Sequence, residues 1–244
     1  MPKFLDEDDL FFPDYDEVDE NGIIAFGGDF SSKRLLHAYE AGIFPWPHQG
    51  LPLLWFFPDP RFVLKPKELK ISRSLKKTIK NTDLLTKADG NFRAVIEACQ
   101  FSPRPEQKTT WITDEVIDAY CELNRLGYAH SIEAYRDDRL VGGLYGVSLG
   151  SIFFGESMFH QESNASKICF VTLVAHLIKW GFTLIDCQMP TTTLENFGAR
   201  PILKRDFVSF LQNSQKQPTK FGPWHLTMLP NEALTVFQGP RLPP

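Results

Sequence analysis

The chain has 244 residues, of which 43% are hydrophobic and 23% charged, so it can bury a core, and this balance excludes a disordered, collagen-like or disulfide-rich chain. The four cysteines are scattered, and neither a signal peptide nor a membrane span is recognisable, so the sequence predicts a reduced, cytoplasmic protein. The net charge of -4 hides a segregation, because residues 1–20 carry nine acids and one lysine whereas residues 61–80 carry eight Lys or Arg and one Glu.

The first 65 residues predict a small N-terminal α/β domain. They are rich in Pro, Gly, aromatic and acidic residues, and they show one short helical segment at residues 32–41. Ser31 or Asp29 is expected to cap the start of this helix, and Gly42 follows its end.

A cationic helix is expected after Ser72. Arg73, Lys76, Lys77 and Lys80 recur at i, i+3, i+4 and i+7, and we call these four residues the basic stripe. Lys and Arg on one helix face neutralise successive phosphates of a nucleic acid. The basic stripe therefore indicates either a nucleic-acid contact or an ordinary solvated helix face.

The remaining elements predict an α+β fold in which residues 66–244 form an acetyltransferase-like (GNAT-type) domain. Helices are expected at residues 92–99 and 114–126, three antiparallel strands at 130–135, 139–149 and 151–159, a buried helix at 164–180 and a strand at 182–188. This order is typical of the acetyltransferase-like core. The segment after Gln215 is predicted to be an irregular, Pro-rich tail.

Three aromatic residues are candidates for contacting a nucleotide. Trp46 stands between two prolines, Trp111 precedes a helix cap, and Tyr120 lies two turns into that helix. Exposed aromatic rings stack on bases, which suits recognition of a single-stranded end. Packing in the core is the alternative for all three.

A carboxylate is expected among apolar side chains in the third strand of the meander. In an extended strand Phe154, Glu156 and Met158 share one face, and Gly155 would permit a bulge or a close ligand approach. The pattern indicates a functional carboxylate, with a salt-bridged structural Glu as the alternative.

Asp186 and Gln188 end the last predicted strand, where period two places both on one face and where α/β folds hold their sites. A turn-forming Asp is the alternative. The histidines have no metal-binding spacing, so no metal is expected. The Gln/Arg-x-x-Gly-x-Gly/Ala loop that binds coenzyme A in acetyltransferases is absent, which speaks against that donor.

Seven motifs follow one another between residues 12 and 211: GIFPW at 42–46, SRS at 72–74, WIT at 111–113, GGLYG at 142–146, GESMF at 155–159, SK at 166–167 and IDCQ at 185–188. As an ordered set they resemble the leucyl/phenylalanyl-tRNA–protein transferase family. The resemblance implies transfer of Leu, Phe and less readily Met from tRNA to proteins beginning with Arg or Lys, as a step of N-degron proteolysis. It implies no cofactor, and no membrane or DNA partner.

The resemblance also implies roles for individual residues. The ring-bearing residues that would hold the 3′-terminal adenosine are Trp46, Trp111 and Tyr120. The basic stripe would contact the acceptor stem. The apolar residues that would line the pocket for the transferred side chain are Leu144, Phe153, Met158, Leu173 and Ile185. Glu156, Asp186 and Gln188 would surround the reaction centre. Our own hypothesis is that Asp186 and Gln188 orient the amine, with Asp186 aiding proton removal, and that Glu156 orders the pocket or attracts the basic first residue. Leu144 and Leu173 replace the Met and Phe of relatives.

Two other functions remain open from the residues alone. One is a coenzyme A-dependent N-acetyltransferase of the same fold, and the other is a noncatalytic RNA-binding module. The missing coenzyme A loop argues against the first. The carboxylate among aromatic residues argues against the second.

Overall fold

The computed structural model describes residues 2–6, 10–102 and 110–237, and within them a small sheet lies near the N-terminus. Its four strands are β1 (Lys3–Leu5), β2 (Ile23–Gly27), β3 (Phe44–Pro45) and β4 (Leu54–Phe56), in the order β1-β2-β4-β3. Helix α1 (Ser32–Glu40) crosses between β2 and β3 and is capped by the Ser31 side chain, as predicted.

A larger, seven-stranded sheet is formed by strands that lie between residues 61 and 202. Its strands are β5 (Arg61–Leu64), β6 (Leu85–Ala88), β7 (Ala129–Arg136), β8 (Arg139–Leu149), β9 (Ile152–His160), β10 (Leu184–Gln188) and β11 (Arg200–Ile202). The order is β11-β5-β10-β9-β8-β7-β6. The predicted antiparallel meander β7-β8-β9 is confirmed, and β10 runs parallel to β9 and antiparallel to β5.

Four helices begin and end close to the predicted positions: α2 (Arg73–Lys80), α3 (Phe92–Gln100), α4 (Asp114–Arg125) and α5 (Ala165–Lys179). Three further helices were not predicted: α6 (Thr192–Asn196), α7 (Lys204–Ser214) and α8 (Pro230–Ala233). Ser72, Asn91 and Thr113 each accept a hydrogen bond at the N-terminus of their helix. Within the described ranges, no helix is long and apolar enough to cross a bilayer.

The large sheet separates two hydrophobic clusters. Helices α1, α3, α4 and α7 and the small sheet bury their apolar residues with Tyr145 and Phe154 on one face. Helices α2 and α5 pack with Leu144 and Phe153 on the other face. Helix α5 is buried nearly all round, as its uniformly apolar sequence predicts.

The predicted boundary at residue 65 stays a prediction. Strand β5 precedes that boundary, yet it pairs with β10 and β11 in the large sheet. The small sheet also shares its core with helices of the large sheet. The predicted mixture of helices and sheets is therefore present, while the acetyltransferase-like assignment of the second part remains a proposal.

Strands β9 and β10 separate in the middle of the large sheet. Their ladder ends at the pair Phe154–Asp186, although β9 continues to His160 and β10 to Gln188. Against β8, β9 skips one residue, since Tyr145 pairs with Ser157 and Gly146 with Gly155. Glu156 is the extra residue of this bulge. An opening between the two strands results, with Glu156 beside it.

The bulge corrects the expected alternation in β9. Phe154 packs on the α3 side of the sheet, whereas Met158 packs on the α5 side with Phe153. Phe154 and Met158 therefore do not share a face, because one unpaired residue shifts the period by one.

The segment after Gln215 is more ordered than predicted. The indole ring of Trp224 stacks on the imidazole of His130 with centroids 3.8 Å apart, and its backbone N–H donates to Asp89 at 2.7 Å. The backbone N–H of Thr227 donates to His176 at 2.9 Å. These bonds attach the segment to the large sheet and to α5. Residues 238–244 of the predicted tail lie outside the described part.

Candidate active site

Two cavities meet at the opening between β9 and β10. The apolar cavity measures about 80 Å³ and the aromatic cavity about 150 Å³. Gly155, Glu156 and Cys187 line both of them. A molecule with one part in each cavity would therefore pass directly over Glu156.

The apolar cavity contains four of the five residues expected to hold a transferred side chain. These four are Leu144, Phe153, Met158 and Ile185. The fifth, Leu173, is fully buried in the same hydrophobic cluster but does not line the cavity. Phe170, almost one turn earlier on α5, lines the cavity instead, together with Leu194 of α6.

The aromatic cavity brings Trp46 and Trp111 together. Both indoles are partly buried, and Phe44, Met189 and Thr191 complete the lining near them. The expected exposure of Tyr120 is wrong, because its side chain is fully buried and its ring packs against Tyr145.

Glu156 is held by three side chains. Its Oε1 accepts hydrogen bonds from the hydroxyl of Tyr39 at 2.7 Å and from the amide of Gln188 at 2.8 Å, and its Oε2 accepts from Tyr120 at 3.3 Å. The hydroxyls of Tyr39 and Tyr120 also contact each other. Burial raises the pKa of Glu156 to about 7, so the carboxyl exchanges protons near neutral pH.

Asp186 is engaged in a buried ion pair. Its two carboxylate oxygens accept from Arg61 Nε at 2.8 Å and Nη2 at 2.6 Å, and both side chains are fully buried. This bidentate pairing leaves Asp186 poorly placed to collect a proton from a substrate. Glu156, by contrast, lines both cavities, so it is better placed than Asp186 to meet a bound molecule.

Gln188 connects the ion pair with the site. Its backbone N–H donates to Asp186 Oδ1 at 2.9 Å, and its φ of 60° is unusual for a residue other than Gly. Against β5, β10 skips Cys187, which is a second bulge. Asp186 thus fixes the backbone turn that directs the Gln188 amide to Glu156.

Cys187 lies at the junction of the two cavities but is unsuited to nucleophilic catalysis. Burial raises the pKa of its thiol well above the ordinary value. A thiol in this state does not supply the thiolate that attacks esters. Cys187 is therefore not a candidate nucleophile of this site.

The basic stripe is solvent-exposed. All four of its side chains are exposed, and none forms an ion pair with another residue in the described ranges. The prediction that these four residues lie on the exposed side of a helix is confirmed. Their contact with a tRNA stem remains a proposal.

Sequence reasoning missed two residues that build the site. Tyr39 sits on the buried face of α1, where a tyrosine is indistinguishable from ordinary core. Arg61 begins the apolar strand β5, and a charged residue in such a strand requires a buried partner. That signal was available, but the partner lies 125 residues away.

Comparison with known proteins decides the family. A profile described as leucyl/phenylalanyl-tRNA protein transferase matches residues 63–212, and the profile of that enzyme's N-terminal domain matches residues 28–59. A transferase of this name from Myxococcus xanthus is 49% identical over 226 residues, which cover 92% of this chain and 97% of the relative. The chain belongs to the leucyl/phenylalanyl-tRNA protein transferase family.

A second relative has the same name. The leucyl/phenylalanyl-tRNA protein transferase of Pseudomonas entomophila is 51% identical over 221 residues, covering 90% of this chain and 97% of the relative. Among solved structures, a functionally unknown protein from Staphylococcus epidermidis covers 74% of this chain and 68% of its own, with a TM-score of 0.41 and 11% identity. As a leucyl/phenylalanyl-tRNA protein transferase, the chain is an aminoacyltransferase that moves an aminoacyl group from tRNA to protein.

Proposed function

We propose that this enzyme transfers Leu or Phe, and less readily Met, from tRNA to the α-amine of proteins beginning with Arg or Lys, marking them for N-degron proteolysis. The observation that carries the proposal is the junction of the two cavities at Glu156. The terminal adenosine occupies the aromatic cavity and the amino-acid side chain the apolar one. The ester between them then lies over Gly155 and Glu156.

The reaction needs little chemical activation. The α-amine attacks the ester carbonyl, a C–N bond forms, and the C–O bond to the tRNA ribose breaks. An unperturbed α-amine has a pKa of about 7.7–8.0, so on the order of a tenth is neutral at pH 7. Holding amine and ester together supplies about 7–11 kcal/mol of the barrier. The ester is already activated, so no cofactor is required.

Glu156 and Gln188 handle the amine and its proton. Glu156 accepts the proton released as the C–N bond forms, because its pKa of about 7 lies close to that of the amine. Glu156 then returns this proton to the ribose oxygen as the C–O bond breaks. Gln188 orients the amine through its side-chain amide. Tyr39 and Tyr120 hold Glu156 in place by their hydrogen bonds.

The apolar cavity sets the choice of amino acid. Most of its lining is apolar, and its buried carboxylate, Asp186, is already paired with Arg61, so a charged aminoacyl side chain would lose its hydration without a free counter-charge deep in the cavity. Leu, Phe and Met are uncharged and unbranched at Cβ. A difference of one methylene gives only about 1–3 kcal/mol, so rejection of Val or Ile is incomplete.

Transfer of a radioactive label tests the proposal. The enzyme is incubated with labelled Leu-tRNA or labelled acetyl-coenzyme A, and with peptides that differ only in beginning with Arg, Lys or Ala. We expect label to move from Leu-tRNA to the Arg and Lys peptides. Label moving from the coenzyme would identify an acetyltransferase, and tRNA binding without transfer would identify a noncatalytic RNA-binding module. Equal labelling of the Ala peptide would contradict the proposed acceptor.

A further inference from the structure

A third cavity, of about 360 Å³, lies on the other side of α6 from the apolar cavity. Helix α6 separates them, since Thr193 lines the third cavity and the next residue, Leu194, lines the apolar one. On α5, Lys167 lines the third cavity and Phe170 lines the apolar one. The third cavity is therefore adjacent to the reaction site but is not part of it.

The lining of this cavity is cationic and rich in hydrogen-bond donors. Two lysines, Lys70 and Lys167, line it, and among the residues that the structure describes no Asp or Glu does. The remaining polar side chains are hydroxyls and amides: Ser72, Ser74, Thr78, Thr193, Asn164 and Asn196. Such a set of donors without a carboxylate suits a phosphate group.

The positive charge of the cavity is not neutralised by nearby acids. Neither Lys70 nor Lys167 forms an ion pair within the described part of the chain. Glu68, the nearest acid along the chain from Lys70, is already paired with Arg200 and Lys65. Lys70 is also held in position, because its aliphatic stem packs on Gly198, where an added Cβ would lie 3.2 Å from Lys70 Cγ.

The cavity adjoins the basic stripe. Ser74 and Thr78 of α2 line the cavity, while the stripe occupies the exposed face of the same helix. We propose that the cavity binds a phosphodiester near the 3′ end of the donor tRNA, through Lys70 and Lys167. The inference rests on the proposed function, and it adds a phosphate site to a surface otherwise expected to contact only the stem.

The double variant Lys70→Gln/Lys167→Gln tests this site, with Lys179→Gln at the exposed opposite end of α5 as the matched control. We expect the double variant to bind deacylated tRNA about tenfold more weakly. The slope of log K against log salt should fall by about 0.7, the value for one phosphate of a single strand. Lys179→Gln should change neither quantity.

Transfer from aminoacyl-adenosine, which has no phosphodiester, should be unchanged in the double variant. Loss of transfer from this minimal donor would show that the lysines have a structural role and would overturn the phosphate site. Unchanged tRNA affinity and salt slope would also overturn it. Binding of inorganic pyrophosphate that depends on both lysines, with unchanged tRNA affinity, would assign the cavity to a free anion instead. Failure of wild-type enzyme with both donors would refute the proposed function rather than this site.

Discussion

The side-chain amide of Gln188 donates a 2.8 Å hydrogen bond to Oε1 of Glu156 across the opening between β9 and β10. Each of these residues follows or forms a bulge, so neither belongs to a regular ladder. The bond therefore spans the place where the two strands have stopped pairing, and where the ester is proposed to lie.

Gly155→Ala should strongly reduce transfer without unfolding the protein. An added Cβ would meet only the backbone oxygen of Asp186, at 3.6 Å, and otherwise enter the space where the cavities join. We expect the free energy of unfolding to change by less than about 1 kcal/mol, and transfer from aminoacyl-adenosine to fall at least tenfold.

Gly146→Ala is the control for that substitution. A Cβ on Gly146 would lie 2.2 Å from the backbone oxygen of Phe154, so this variant should be destabilised by about 1–3 kcal/mol or more. Urea unfolding and transfer are measured for both variants. Normal transfer by Gly155→Ala would mean that the donor does not cross the cavity junction.

Glu156→Gln should change the pH dependence of transfer. In the wild type both the acceptor amine and Glu156, with its pKa of about 7, must be deprotonated. The logarithm of kcat/KM should therefore fall with a slope approaching two per pH unit below both pKa values. In the variant only the amine titrates, so we expect a lower rate with a slope of one. A slope of one in the wild type would exclude Glu156 as the proton acceptor.

Glu156→Gln should also change how the free energy of unfolding depends on pH. The pKa of Glu156 is raised from 4.5 in the unfolded chain to about 7 in the folded protein, so the wild type loses stability as pH rises between these values. Gln does not titrate, so the free energy of unfolding of Glu156→Gln should lack this loss. At 1.4 kcal/mol per pKa unit, the variant should therefore gain up to about 3 kcal/mol relative to the wild type when the pH is raised from 4 to 8. Urea unfolding at the two pH values measures the change. A constant difference would contradict the raised pKa.

Arg61→Met should destabilise the protein by about 3–5 kcal/mol, because Asp186 would keep its charge in a buried place without a partner. Adding Asp186→Leu should recover much of this loss. It should not recover transfer, since the Gln188 backbone N–H would lose its acceptor. Urea unfolding and transfer assays of the two variants separate stability from positioning. Recovery of both properties would show that Asp186 has no role in placing Gln188.

Phe170→Leu should raise transfer of Phe relative to Leu several-fold, because it enlarges the apolar cavity. Leu173→Met changes a buried neighbour on the same helix that does not line the cavity, so the ratio should stay nearly constant. Competition between Leu-tRNA and Phe-tRNA gives the ratio directly. If Leu173→Met alters the ratio and Phe170→Leu does not, the position inferred from relatives is correct and the cavity lining is misassigned.

Helices α1 to α5 and the meander were predictable because their signals are local. A capping side chain such as Thr113 and a glycine such as Gly127 lie within the segment that they delimit. For the residues of β9 after Gly155, the side of the sheet that each side chain faces was not predictable. A bulge depends on the neighbouring strand, so period two placed Phe154 on the face of Met158, whereas the structure places Phe153 there.

The roles at the reaction centre depend on contacts between distant parts of the chain. Asp186 stands at a strand end like a functional residue, but Arg61 takes both of its oxygens. Glu156 acquires its raised pKa by burial among residues from α1, α4 and β10. The residue types were therefore evident from the sequence, whereas the division of labour between the two carboxyl groups required the structure.

The bulge in β9 changes which positions of the strand face α5. Before Glu156 these are odd positions such as Phe153, and after Glu156 they are even positions such as Met158. Deleting Glu156 would let β9 pair continuously with β8 and would leave the other pairs unchanged, so Met158 would still lie opposite Leu144. The proposed proton acceptor would be lost, while the strand residues that line the apolar cavity would keep their faces. The extra residue therefore places a carboxyl at the junction of the two cavities without changing which side chains of β9 line the apolar one.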